Sequence, residues 1–438
     1  MKFPSRFRLP RRWLAHCAAG CLLAPLLAGA TPSLRFQEYL DMVEQRNLEL
    51  AGQREALTAA RAGIGIAGLR PDPEFTWEAS REQVRAHHPR PVSRGPTVSW
   101  TLETGGKRGA RLRLAHSELA VASANQRTVL HQVYSDAASA FADACHSHAV
   151  LERKEQTLAA LDGTVRANQT RHRLGDIGGV ELLQSRLERD RFQAEVIQAR
   201  AEAEAARLAL SVPLGSDAVE VFGDRGYDCA FAPFAGGENL TELLPAAMQA
   251  RDEIQMARAE LQRSDDNAGL VRANRWLDPT LSVGVSSTRG YPAGLDQDGG
   301  IVDATPKSRE LTVSISIPIP LSRRNRGDLV QADAERAQVA LALRQAERVA
   351  DTEVRSAHRR FLAARENVAR YRNGVLDDAQ RALDGVRLSY RNGASSLLEL
   401  LDAQRSADET RLDYLQAEHD LAMATVVLQL AIGQRPRL

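Results

Sequence analysis

The chain states most of its sequence twice. Asp72-Pro73-Glu74-Phe75 returns as Asp278-Pro279-Thr280-Leu281, an offset of 206. Thr97-Val98-Ser99-Trp100-Thr101 returns as Thr312-Val313-Ser314-Ile315-Ser316, an offset of 215. Gly109, Gly175, Glu181 and Gly215 match Gly327, Gly393, Glu399 and Gly433, all at 218. The offset grows only between the two strand motifs and at the strand exit, where loops absorb insertions. A duplication this long restricts the chain to one supersecondary unit built twice.

Hydrophobic periodicity gives each unit the order helix, strand, strand, very long helix, helix. The first half predicts helices near 35–68, 109–171 and 179–211, with strands near 74–80 and 96–103. The second predicts helices near 240–272, 327–390 and 396–431, with strands near 279–287 and 310–318. The segment around 213–238 is rich in Gly, Pro and Phe and lacks a period. The chain therefore divides into a leader (1–30), a first repeat (31–215), a linker (216–238) and a second repeat (239–438). Leu130, Val133, Ala137, Ala140 and Ala144 step by three and four along the first long helix. Ala350, Val354, Ala357, Phe361, Ala364 and Val368 do so along the second. Such seams pack helices side by side, and their many alanines let backbones approach closely. A helix of about 60 residues is a rod of about 90 Å, for which a compact enzyme has little use.

All four strands alternate. Phe75, Trp77 and Ala79; Val98, Trp100 and Leu102; Leu281, Val283 and Val285; and Val313, Ile315 and Ile317 share one side of their strands, with mainly Thr, Ser, Gly and Glu between them. A half-buried soluble sheet reads this way, and so does a strand set spanning an outer membrane around a wet lumen. Four strands enclose no channel and an open edge cannot sit in lipid, so a barrel needs several chains.

The first thirty residues fit export. Lys2, Arg6, Arg8, Arg11 and Arg12 precede an apolar run from Trp13 to Leu27, and Ala28-Gly29-Ala30 supplies small residues for cleavage. Cys21 after Ala18-Ala19-Gly20 leaves an acylated leader as the alternative. Cleavage removes five of 57 basic residues and none of 56 acidic ones, taking the formal net charge from +1 to −4. That balance argues against a nucleic-acid partner. Cys145 and Cys229 are the cysteines left, too few for a disulfide scaffold.

Glu103-Thr-Gly-Gly-Lys-Arg-Gly109 looks like a phosphate loop, but Lys107 is followed by Arg108 where such a loop needs Ser or Thr. Its copy, Pro318-Ile-Pro-Leu-Ser-Arg-Arg-Asn-Arg-Gly327, replaces the paired glycines with prolines and keeps the basic cluster. These stretches mark where a strand ends and a long helix begins. Cations oppose the dipole at a helix N-terminus, so Lys107, Arg108, Arg323, Arg324 and Arg326 are candidate contacts to anionic headgroups, a solvated junction being the alternative.

This architecture, with ETGGKRG and PLSRRNRG at the strand exits, resembles the TolC-type outer-membrane efflux channels and is most similar to their heavy-metal resistance branch. The resemblance covers 31–438. It implies an α+β membrane protein: a homotrimer with a twelve-stranded barrel in outer-membrane lipid, continued into the periplasm as an α-helical tunnel. It also implies a periplasmic adaptor and an inner-membrane transporter as partners, and a passive duct with neither catalytic residues nor cofactor. The helix–helix turns match the adaptor-docking tips, which singles out Arg173, Gly175, Asp176, Arg391, Gly393 and Ser395. Glu181 and Tyr390 match a gate carboxylate and a gate tyrosine. Glu399 and Asp402, three apart on one helix face, match an acidic entrance ring. Ser395 departs from the pattern, standing where the prototype has a gate arginine.

Cys145-His146-Ser147-His148 carries ligand-type side chains, making Cys145 and His148 the candidates for a metal, while His87-His88 reads as a loop tip. The duplicated positions are Ala363, Ala364 and Glu366, and Cys145 borders the apolar seam, which favours a packed cysteine. Cargo is open between heavy-metal cations, drugs and secreted proteins. A periplasmic coiled-coil scaffold is the competing class, although one long hairpin and a compact β domain would suit it better.

Overall fold

The computed structural model describes residues 33–81, 92–231, 234, 237, 239–295, 299–322 and 326–438. The leader, His87-His88, Arg323 and Arg324 lie outside the described residues. The helices are α1 (Phe36–Arg46), α2 (Leu48–Ala67), α3 (Lys107–Leu174), α4 (Gly179–Ala209), α5 (Ser211–Leu214), α6 (Ala218–Phe222), α7 (Leu240–Ala250), α8 (Asp252–Asn274), α9 (Gly327–Arg370), α10 (Leu376–Arg391) and α11 (Leu397–Ala431). The strands are β1 (Leu34–Arg35), β2 (Glu74–Arg81), β3 (Val92–Thr101), β4 (Tyr227–Asp228), β5 (Thr280–Thr288), β6 (Gly294–Leu295), β7 (Ile301–Val302) and β8 (Ser308–Ser316).

The predicted helix 35–68 is two helices, because Asn47 leaves the helical region at φ −56°, ψ 128°. Its side chain accepts from the Leu50 amide and donates to Pro213 O at 2.8 Å, capping α2 while tying it to α5. The second repeat breaks equivalently at Arg251, φ −61°, ψ 129°. The 327–390 helix also divides. A π-turn at Tyr371–Val375 separates α9 from α10, and Gly374 takes φ 153°, a value that favours glycine. By contrast, α3 runs unbroken for 68 residues, about 100 Å at 1.5 Å per residue.

β2, β3, β5 and β8 form one antiparallel sheet in that order. Its register lines up Phe75, Val98, Val283 and Val313 in one row across the sheet, and Ser99, Ser282 and Ser314 in another. The apolar side is bare: Phe75, Trp77 and Ile315 are 66%, 62% and 68% exposed. The serine side is stitched across strands, with Ser99 Oγ 2.9 Å from Ser282 Oγ. Gly95 lets β3 approach β5, since a Cβ there would lie 1.8 Å from Val285 O. Among the described residues, β2 and β8 each pair on one side only.

The main core lies where the linker meets the long helices. Tyr39, Leu40 and Val43 of α1 pack with Val133, Ala137, Phe141 and Cys145 of α3, and with Leu210, Leu214 and Phe222 of the α4–α6 segment. A second core joins Leu243 and Ala247 of α7 to Val354, Ala357 and Phe361 of α9 and Leu428 of α11. These are the expected seam positions. Fully burying side chains of this size contributes about 1.5–3 kcal/mol each, which fixes the midsection as the anchor from which both hairpins project.

The structure corrects one expectation here. Cys145 is joined to Cys229 by a disulfide. The bond brackets a loop of 84 residues, the lower part of α3, its turn and all of α4. Closing a loop of that length stabilises by about 4–5 kcal/mol on the chain-entropy account. An oxidised Cys145 has no thiolate to offer a metal. His148 instead faces Tyr227, ring centroids 6.1 Å apart.

Candidate functional site

Two hairpins, α3–α4 and α10–α11, hang below the midsection, and their turns are built alike. Gly175 (φ +84°) ends α3 and Gly393 (φ +74°) lies just past α10. The Asp176 amide donates to Arg171 O and the Ala394 amide to Ser389 O, while the Gly175 and Gly393 amides donate to His172 O and Tyr390 O. These paired bonds close a helix around a left-handed residue. His172 Nδ1 lies 3.0 Å from Ile177 O across the first turn. Arg173, Asp176 and Arg391 are exposed and Ser395 is partly covered. Leu174, Val180, Leu183 and Leu398 expose apolar surface beside the same turns.

Above the tips the hairpins are latched together. Tyr390 Oη of α10 lies 2.8 Å from Glu181 Oε1 of α4 and 2.8 Å from the Asn168 amide group of α3. A phenol has one proton, so it cannot donate to both. With the proton on the Glu181 bond and the Asn168 amide turned so that Nδ2 donates to the phenol oxygen, the phenol both donates and accepts, and Nδ2 gains the partner it otherwise lacks. The Arg171 guanidinium sits over the Tyr390 ring, 5.1 Å from its centroid. Burial, then the hydrogen bond to Glu181, pushes the phenol pKa up to about 12. The tyrosine therefore stays a donor throughout the physiological range.

Two further ties cross between the hairpins. Asp408 of α11 is buried and accepts from Thr157 Oγ1 of α3 at 2.7 Å while pairing with Arg153. Arg405 of α11 pairs with Glu188 of α4 at 3.0 Å and stands 3.7 Å from Asp402. Glu399 is engaged locally. It accepts from the Ser396 amide at 2.9 Å while its own amide donates to Ser396 Oγ, a capping box at the start of α11. Its carboxylate and that of Asp402 both remain exposed to solvent.

The matched regions of this double unit are now defined. A family model described as outer membrane efflux protein matches residues 39–216 and 243–434. The chain belongs to the outer membrane efflux protein family. Its place is the outer membrane, and its fold is that of the TolC-type channels. The cobalt-zinc-cadmium resistance protein CzcC of Cupriavidus metallidurans is 23% identical over 437 residues, covering 98% of this chain and 97% of that one. Outer membrane efflux protein BepC of Brucella suis is 23% identical over 398 residues, covering 86% and 82%. The solved Campylobacter jejuni CmeC outer membrane channel superposes with a TM-score of 0.74 at 16% identity, covering 92% of this chain and 86% of that one.

Within this efflux protein, the basic strand exit needs a correction. Lys107 is buried, 6% exposed, and pairs with Asp278, which also accepts from the Thr104 amide at 2.9 Å. Arg108 Nε donates to Gly68 O at 2.7 Å, and Arg111 donates to Leu69 O at 2.8 Å. These cations meet the carbonyls at the end of α2, where a helix dipole is negative. Lys107 therefore bolts the exit of β3 to the entry of β5, across the two repeats, and cannot reach a headgroup. Arg108 and Arg326 keep exposed side chains.

The sequence singles out Tyr390 and Glu181 separately, the structure brings them together, and Asn168 and Arg171 were missed. Both stand in an ordinary polar stretch of α3, and nothing in that stretch marks them. The cation beside Tyr390 comes from Arg171 of the other hairpin, where the prototype's pattern puts it at the position of Ser395.

Proposed function

We propose that the protein is the passive exit duct of a tripartite efflux system exporting heavy-metal cations. The observation that carries the duct is the sheet: one bare apolar side, one serine-lined side and two open edges. Three copies joined β2 to β8 make a twelve-stranded closed barrel, which meets the demand that no edge face lipid. An inner-membrane transporter and a periplasmic adaptor complete the path, the exposed turns around Gly175 and Gly393 being the adaptor's docking surface. The latch at Tyr390 holds the periplasmic end shut, and Glu399 and Asp402 line the entrance with carboxylates that favour cations. Arg108 and Arg326 are left to meet headgroups. The full-length likeness to CzcC supports a metal cargo.

Two measurements test this reading. Detergent-extracted protein is expected to have the mass of a trimer, and a stable monomer would refute the barrel. A deletion strain grown across divalent metals and hydrophobic drugs is expected to lose metal tolerance alone. Sensitivity confined to drugs would reassign the cargo and leave the duct standing.

A further inference from the structure

The packed midsection shields the cysteine pair from a folded oxidant. Cys145 is 4% exposed within the main core, and Tyr227, Cys229 and Phe231 of the linker pack over it. The linker is held there by two other ties: β4 pairs in parallel with β1, and Arg225 bonds Glu38 at 2.8 Å. Both cysteines line a cavity of about 670 Å³ with His146, Phe231, Phe361 and His419. That volume admits a small molecule but not the active-site surface of a folded enzyme.

We propose that Cys145 and Cys229 are a substrate site for a periplasmic disulfide oxidant, which must act before the linker packs and before subunits assemble. The inference rests on the chain crossing the periplasm to reach the outer membrane, not on its cargo. Cys145 emerges 84 residues ahead of its partner. Its thiolate attacks one sulfur of the oxidant's disulfide, forming a mixed disulfide and expelling the oxidant's second sulfur as a thiolate. The Cys229 thiolate then attacks the Cys145 sulfur, forming the bond seen here and expelling the oxidant's other thiolate. Two electrons and two protons pass from the chain to the oxidant, which leaves as a dithiol. The product staples the base of the first hairpin, whose loop is long enough for the constraint to matter.

The test compares trimer yield in cells with and without their periplasmic dithiol oxidant, for the wild type and for Cys145→Ala/Cys229→Ala. Wild-type trimer is expected to fall several-fold without the oxidant and to recover when cystine is added to the medium. The double variant, having no thiols to oxidise, is expected to give the same yield in both strains. Cys229→Ser is expected to trap Cys145 in a mixed disulfide that reductant releases. Wild-type trimer of undiminished yield carrying two alkylatable thiols would overturn the proposal. So would equal oxidant dependence in the double variant, because the effect would then be indirect.

Discussion

Tyr390 and Glu181 meet at 2.8 Å although they belong to different repeats and lie 209 residues apart. The contact joins the tip-proximal parts of the two hairpins, beyond the ties that Asp408 and Arg405 make farther from the turns. Tyr390 also belongs to the small core of its own hairpin, with Leu383, Leu397 and Leu400. Its ring is thus fixed by packing and its hydroxyl is free to be spent on the neighbour.

Tyr390→Phe keeps the ring, its packing and the Arg171 contact while deleting the hydroxyl. Each chain loses about 1–2 kcal/mol of closing energy. In a planar bilayer the closed-state conductance is expected to rise, with barrel stability unchanged. Wild-type conductance in this variant would place the closing contact elsewhere.

Lys107→Met removes the buried cation from the half-buried Asp278, which keeps the Thr104 amide. Removing one member of such a partly exposed, charge-assisted pair costs about 1–3 kcal/mol, and trimers are expected to melt at lower temperature. Lys107→Met with Asp278→Asn is expected to recover most of the loss. A single variant as stable as wild type would show that the β3 exit and the β5 entry are held together by packing alone.

The equatorial histidines give stability an optimum in pH. The hydrogen bond to Asp143 (2.7 Å) raises the pKa of His419 above its ordinary 6.5, whereas desolvation, then the charge of His419, lowers that of His146 below 6.5. The remaining charged groups facing this pair are Asp420, Glu418, Arg365 and Arg372. The His419 contribution is complete below 6.5 and fades as pH rises through its raised value. The His146 contribution is complete above 6.5 and fades as pH falls through its lowered value. Thermal melts across pH are expected to lose the alkaline decline in His419→Gln and part of the acid decline in His146→Gln. Parallel profiles for all three proteins would remove both groups from the linkage.

Glu399→Gln separates charge from capping, because glutamine also completes a capping box. Combined with Asp402→Asn, it removes two negative charges per chain. Cation selectivity and block by trivalent cations are expected to drop while thermal stability holds. If stability falls and selectivity stays, Glu399 serves α11 and the entrance is governed by other groups.

Much of the fold was legible because a duplicated pattern can be checked against itself. The apolar seam from Val133 to Val165 and its copy from Ala350 to Val368 become the buried helix faces. What stayed hidden depends on groups far apart in sequence. Alternation places the start of β3 near residue 96, and a proline is usually confined to strand edges and starts. The strand begins at Val92 because Gly95 and Pro96 still pair with Glu78 and Trp77 on the β2 side. Asn47 looks like any polar helix residue until Pro213 O arrives to accept from it. The partners of Lys107 and Cys145 lie 171 and 84 residues away, and no local pattern announces either.

The two repeats have parted company at the base of their hairpins. At position 145 the first carries a covalent bracket, whereas the second has Ala363 and, eleven residues on, a helix interrupted at Gly374 with Arg372 strapped to Tyr414 and Glu418. Mechanical compliance is therefore distributed unequally around the ring that three chains would form: six hairpins alternate between stiff and yielding. A uniform ring would dilate as a sixfold iris. In the proposed ring, widening by the yielding hairpins alone would take the aperture through triangular rather than circular outlines.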